Sequence, residues 1–303
     1  GEVHFNAPLL DVGTTVFEKT GKVTFTAAGG DIRGDGTLSV AGDITMTAGQ
    51  IYPATLGEFN IFAYDYTDAA GTPGSGSVTI AGSGPRPMPY SAGGSLNIFA
   101  SKITQGGTLR APFGAINLGW DGTDYDVSTT AFDSPTNPVV GDSLTVPTAQ
   151  SVVLGALSTT SVSAVDPATG IGLTIPYGLS PDGLSWIDPR GVNVTVSGLP
   201  QKRVSIAGES VTTESGSTID IRGGGDLLAY RWLSGTGGSQ DLLGDASGTQ
   251  RQWGAGSTYQ AGALVTYKGK TWAARRTIDP AKFQDAPSQV VKKIWAKTRA
   301  VTA

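Results

Sequence analysis

The sequence predicts an all-β chain: a parallel β-helix, that is, a solenoid of short coils, followed by a small antiparallel β module. Three observations carry this. Runs of about five residues with apolar side chains at every second position recur along the chain, as in KVTFTA, TLSVAG, EFNIFA, SVTIAG, SLNIFA and RVSIAG, the mark of strands with one buried face. Gly, 44 residues of 303, usually closes each run, and only 15% of residues are charged, a composition of strands joined by tight turns. The inward positions Leu38, Phe59, Val78, Leu96 and Ile116 follow one another at 21, 19, 18 and 20 residues. A period near 20 is what a solenoid produces, because each coil buries its apolar face only against its neighbours. A flat β-sandwich is the alternative, although its turn signals come about every 8–12 residues without the longer register.

The solenoid is expected over residues 1–232. Two stretches, AYDYTDAAGTPGSG at 63–76 and the segment 121–150, are too long and polar for coil turns. They read as excursions from the wall of the kind that carry function in repeat proteins. A third, 173–191, has Pro176, Pro181 and Pro189 and is expected to be a folded loop rather than a helix. Residues 233–252 have linker composition. In 253–303, Tyr259, Val265, Tyr267, Trp272 and Ala274 alternate along two short strands, with Gly262 and Gly269 at turns. The one helix expected is at the C-terminus, where Val290, Val291, Ile294 and Trp295 share a face.

Charge divides along the same line. From Arg251 onward there are 10 Lys/Arg against 2 Asp/Glu, leaving 11 against 23 for residues 1–250, so two units with different surfaces are expected. The chain has no Cys, which removes disulfides and thiolate metal sites. No window reaches the roughly 18 consecutive apolar residues of a membrane helix, and a soluble piece of a longer chain without a signal peptide is expected from the opening GEVHFNAPLLDVG.

Catalytic groupings are scarce. The single histidine, His4, gives neither a Ser-His-Asp triad nor a multi-histidine metal site, and phosphate loops and nucleophile elbows are absent. Asp121, Asp124 and Asp126 in WDGTDYD form the densest acidic group. They offer oxygen ligands for calcium but lack the Gly and distal Glu of an EF-hand loop; a solvated turn is the competing reading. Arg33-Gly34-Asp35 is the integrin-recognition tripeptide, placed at a predicted turn, and such a short match also arises by chance. In the C-terminal unit Trp253, Tyr259, Tyr267, Trp272 and Trp295 serve first as core, and sugar binding there would need further exposed rings where Arg275 and Arg276 stand.

Residues 9 to about 250 resemble the filamentous haemagglutinin family of large bacterial adhesins exported by two-partner secretion. The likeness lies in the order of GGSLNIFASKITQGGTLRAPFGAINLG, GLTIPYGLSPDGLSWIDPRG, GLPQKRVSIAGESVTTESGSTIDIRGGGDLLAYRW and SGTGGSQDLL. It implies a right-handed β-helix, export to the surface of a Gram-negative cell, and attachment rather than catalysis. The C-terminal stretch looks like the carbohydrate-binding modules of chitinases, which recur on phage tail proteins. Their pattern maps onto Trp253, Tyr259, Gly262, Val265, Tyr267, Gly269, Trp272 and Ala274, closed by Pro287 and Trp295. Ala263 replaces an expected Asp, and Arg275-Arg276 replaces the exposed aromatic pair, so the likeness implies the fold more than the ligand.

The expectation is a non-enzymatic piece of a secreted adhesin whose partner is a host or bacterial surface receptor or glycan. Neither a cofactor, a nucleic acid nor insertion into a membrane is expected. Two other classes stay open: a sugar-binding or depolymerising β-helix of the phage tailspike kind, and a filament subunit that self-associates, because uncapped coils expose strand edges.

Overall fold

The structure, a computed structural model, describes residues 1–123, 137–140, 144–197, 201–231, 251–254, 257–259, 263–268, 270–275, 277–279 and 295–297. It is all-β, with no helix among the described residues. The chain divides into two compact units, Gly1–Arg231 and Trp232–Ala303.

The first unit is built on a solenoid-like sheet of fifteen strands in which every pairing is parallel, arranged in three rows. The first row stacks residues 15–17, residues 36–41, Glu58–Tyr64, Ser95–Ala100, Ala115–Leu118 and Arg203–Ile206. The second stacks Glu2–Asn6, residues 22–27, residues 43–48, Ser77–Gly82, Lys102–Gly106, Ser151–Leu154 and Val211–Thr213. The third stacks Leu9–Val12, residues 31–34, residues 50–53, Thr108–Arg110, Thr159–Ser161 and Thr218–Asp220. The chain visits the rows in that order, coil after coil, so equivalent residues lie in columns.

The columns explain the stability. Leu38, Ile61, Ile98 and Leu118 pair in register down the first row, and all four are fully buried. Val23, Ile44, Val78, Ile103 and Val152 do the same in the second, and they join the first-row column in one hydrophobic cluster. Alternation sends the next residue outward. Asn60, Asn97 and Asn117 therefore form an outer column: Asn97 Nδ2 donates to Asn60 Oδ1 at 2.7 Å, and Asn117 Nδ2 donates to Asn97 Oδ1.

The 20-residue spacing mixes two rows. Phe59 pairs with Leu96 and Leu96 with Ile116 in the first row, whereas Val78 lies in the second row between Ile44 and Ile103. The near-regular interval arose because the chain between Glu58–Tyr64 and Ser95–Ala100 contains a hairpin excursion and a second-row strand but no third-row strand.

The excursions are cladding with cores of their own. Ala63 and Tyr64 still belong to the wall, and residues 65–76 carry a small antiparallel hairpin, Tyr66–Thr67 with Pro73–Gly74. Asp65 Oδ1 ties its base by accepting from Gly76 N at 2.8 Å and Ser101 Oγ at 2.7 Å. Phe62, Tyr64 and Phe99 point outward from the first row, yet are buried, because Trp120, Val140 and Val146 of the 119–150 excursion pack over them. Asn137 Nδ2 donates to the Tyr64 hydroxyl at 3.0 Å beneath that cover. The 162–202 excursion covers another outer patch, where Ile175 and Tyr177 meet Ala92 and Phe113.

Within that last excursion the expected loop at 173–191 is corrected. Thr174–Leu179 is a strand, parallel to Asp226–Tyr230. Pro176 has a ladder partner, Leu228, on one side only among the described residues, the edge-like setting in which a strand admits proline. The turn that follows is closed by Asp182, whose carboxylate accepts from Ser185 N and Ser185 Oγ, each at 2.7 Å, and from Leu184 N at 2.9 Å. Those donors, the Ser185 amide first, hold its pKa down to about 2 from an ordinary 3.8. A depressed carboxylate contributes stability that is present above the unfolded value and lost as pH falls through the folded one. In an NMR titration the Asp182 carboxyl is expected to titrate near pH 2, with the Ser185 amide losing protection over the same interval; a midpoint near 4 contradicts the turn.

The second unit holds a four-stranded sheet, Arg251–Gln252, Leu264–Tyr267, Lys270–Ala274 and Trp295–Lys297. Its last two pairings are antiparallel and the first is parallel. The helix expected near the C-terminus is corrected at its only described residues: Trp295–Lys297 is a strand on the edge of Lys270–Ala274, where open backbone groups outbid a short helix that lacks a packed face. The rest of that segment, and residues 233–250 of the linker, lie outside the described residues.

Candidate functional site

The third row lacks a coil. Where Ser77–Gly82 should lead into a third-row strand, the chain runs SGPRPMPYSAGG over residues 83–94, and Ile51 pairs directly with Leu109 across the gap. Pro85, Pro87 and Pro89 explain it, since each removes a backbone donor that a central strand would need. The segment is nevertheless fixed: Met88 is buried, Ser91 Oγ donates to Pro53 O at 2.6 Å, and Ser83 N donates to Ala48 O at 2.9 Å.

Between this arch and the third row lies a cleft of about 410 Å³, walled by Asp31, Arg33, Gln50, Tyr52, Arg86 and Tyr90 among others. That volume falls in the range of small-molecule sites, roughly 300–1,000 Å³. Arg33 donates through Nε to Asp11 Oδ1 at 3.2 Å and through Nη2 to Asp11 Oδ2. The pairing lowers the Asp11 pKa and raises that of Arg33. Arg86 Nε donates to Asp31 Oδ1 at 2.8 Å, while Asp31 Oδ2 accepts from Gln50 Nε2 at 3.2 Å. Gln50 Nε2 also reaches Pro87 O at 3.0 Å. Burial, followed by the charge of Asp31, pushes the Tyr52 hydroxyl above its ordinary value. Tyr90, by contrast, is 73% exposed.

The integrin-like tripeptide is not displayed at a turn. Arg33 stands inside a strand, with Asp11 of one neighbouring coil and Tyr52 of the other in register beside it. Gly34 is buried, and a Cβ there would fall on the Phe59 ring. Asp35 is exposed and lines a different cleft, of about 510 Å³, with Glu58, Asn60 and Arg190. The arginine and the aspartate thus face separate sites.

The acidic trio is described only at Asp121, whose Oδ1 accepts from Thr123 N at 3.0 Å and Thr123 Oγ1 at 2.6 Å; Asp124 and Asp126 lie outside the described residues. No metal-ligating cluster occurs among the described residues. In the C-terminal unit Tyr259 and Trp272 are core, packed with Val265, Ala274 and Ile278. Tyr259 Oη accepts from Gly254 N at 2.7 Å. Trp253 and Tyr267 are half-buried and meet edge to face, ring centres 5.4 Å apart, with Lys268 Nζ 5.5 Å from the Tyr267 ring. Arg275 is exposed; Arg276 and the Trp295 side chain are outside the described residues.

Sequence reading missed the third-row cleft apart from Arg33. Its signal was the alternate-proline run PRPMPY at 85–90, which no strand in the middle of a stack accommodates. Compared with known protein families, with curated proteins and with solved structures, the chain matches none.

Proposed function

We propose that this chain is a non-enzymatic piece of a secreted filamentous adhesin that mediates attachment at a bacterial cell surface. The observation that carries this reading is the division of labour in the first unit: a repetitive wall of stacked coils that presents non-repeating segments at its corners. The three rows, visited in constant order, support a parallel β-helix, and the right hand follows from the near-universal hand of parallel crossovers. The order of segments that resembles filamentous haemagglutinins supports the same architecture and the extracellular location.

Three carboxylates are tied up as hydrogen-bond acceptors, which speaks against these three as general acids. Asp11, Asp182 and Asp220 are each held below the ordinary carboxylate range by hydrogen bonds from Arg33, Ser185 and Arg222 respectively. A general acid requires the opposite shift. In the C-terminal unit, the half-buried Trp253–Tyr267 pair beside Lys268 and the exposed Arg275 is the surface we assign to contact with a receptor or glycan.

Beads coated with the purified chain are expected to attach saturably to bacterial or epithelial cells, with soluble chain competing. Failure to attach, or release of reducing ends from polysaccharide, would favour a tailspike-like enzyme. A self-associating filament is favoured by one feature: Val211 and Ile219, 45% and 47% exposed, lie on strands that have a neighbour on one side only among the described residues.

A further inference from the structure

We infer that the third-row cleft is a binding site for a neutral saccharide, a site that rests on the attachment reading and supplies its ligand class. The cleft combines the two features that sugar sites need: an aromatic face to lie against the C–H surface of a ring, and fixed planar polar groups to sort its hydroxyls. Tyr90 supplies the exposed face at the rim. Arg33, Arg86, Asp31 and Gln50 supply the polar wall.

The wall is held before any ligand arrives. Arg86 lies across Gly49, where a Cβ would collide with its Cγ, so the absence of a side chain at 49 seats the arginine stem on the third row. Asp31 then holds both Arg86 Nε and Gln50 Nε2. Pre-set polar groups of this kind lose little freedom on binding.

Two observations select the ligand. First, each guanidinium is already paired, Arg33 with Asp11 and Arg86 with Asp31, so neither stands as a free cation to draw a sulfated or carboxylated glycan. Second, the wall mixes donors and acceptors, the Arg33 and Arg86 guanidinium groups standing beside the Asp31 carboxylate. A hydroxyl-rich neutral ring brings donors and acceptors together, which suits a wall that offers both guanidinium N–H groups and carboxylate oxygens.

The test uses the full chain, with maltohexaose, cellohexaose and lacto-N-tetraose as neutral probes and a heparin octasaccharide as the acidic one, read by titration calorimetry and saturation-transfer NMR. At least one neutral probe is expected to bind in the micromolar-to-millimolar range and to be recovered intact. Tyr90→Ala, a change at an exposed ring, is expected to weaken it about tenfold. Arg86→Gln should weaken it likewise, with Arg86→Lys recovering only part because a point charge does not reproduce the planar fork. Trp253→Ala should leave it unchanged, which separates this cleft from the C-terminal aromatic pair. The inference is overturned if no neutral probe binds, if heparin binds more tightly than all of them, or if Tyr90→Ala binds as the parent does. Cell attachment without saccharide binding would remove this site and keep the adhesin reading; saccharide binding without cell attachment would do the reverse.

Discussion

Ile98→Ala is expected to lower the unfolding free energy of the first unit by about 3 kcal/mol, the cost of deleting a fully enclosed aliphatic side chain and leaving a void. Ile98 is 0% exposed and sits between Ile61 and Leu118 in the first-row column. Relaxation into the void is restricted, because the coils above and below are held at strand spacing by their own ladders. Ile221, 65% exposed, is the control, and its replacement by Ala should change stability by less than about 0.5 kcal/mol. Urea unfolding followed by tryptophan fluorescence measures both. If the two variants unfold alike, the interior assigned to the stacked columns is wrong.

Gly114→Ala is expected to cost a comparable amount, about 3 kcal/mol, for the opposite reason: one methyl too many. Gly57, Gly94 and Gly114 stack at the corner that leads into the first row, where Ser95 N donates to Gly57 O, Ala115 N to Gly94 O and Arg203 N to Gly114 O, at 2.9, 3.1 and 3.1 Å. A Cβ on Gly114 would fall on the carbonyl oxygen of Gly94, and one on Gly94 would approach Ala54 O at 2.6 Å. Backbone cannot rotate aside as a side chain does, so the coil must separate from its neighbour at this corner. A Cβ on Gly223 would meet nothing within 4 Å, so Gly223→Ala should be close to neutral. A Gly114→Ala protein with the parent's melting temperature would refute the close stacking of these corners.

These two residues mark what was legible in advance. The alternation of EFNIFA and SLNIFA announced inward Phe59, Ile61, Leu96 and Ile98, and all four are buried. The same strings hid the cladding. Phe62, Tyr64 and Phe99 occupy outward positions that a half-exposed strand would fill with polar side chains, and only the excursion packed over them makes aromatic residues there intelligible. Val78 shows the limit of spacing: one interval of about 20 residues arises both from a coil and from part of a coil plus a hairpin, so periodicity detects stacking without assigning rows. The tripeptide at 33–35 misled because its short-range signal, Gly and Asp, is that of a turn, whereas the register with Asp11 and Tyr52 that holds Arg33 in a ladder is fixed by residues some twenty positions away on either side. The cleft was beyond reach for a related reason. Tyr52 and Tyr90, or Asp31 and Arg86, become neighbours only once a whole coil is skipped in one row and not in the other two.

The excursions leave and rejoin the wall at adjacent rows: after Tyr64 and before Ser77, after Leu118 and before Ser151, after Ser161 and before Arg203. Departure and return points are therefore set by the wall, while what hangs between them shields its outer face, as Trp120, Val140 and Val146 shield Phe62, Tyr64 and Phe99. Loop-closure entropy grows only with the logarithm of length, so going from the shortest of these inserts to the longest costs about 1 kcal/mol. Such corners act as sockets: a foreign segment can be exchanged there provided it again shields the outward aromatic residues beneath it, which lets a chain of this design alter what it displays without relearning how to fold.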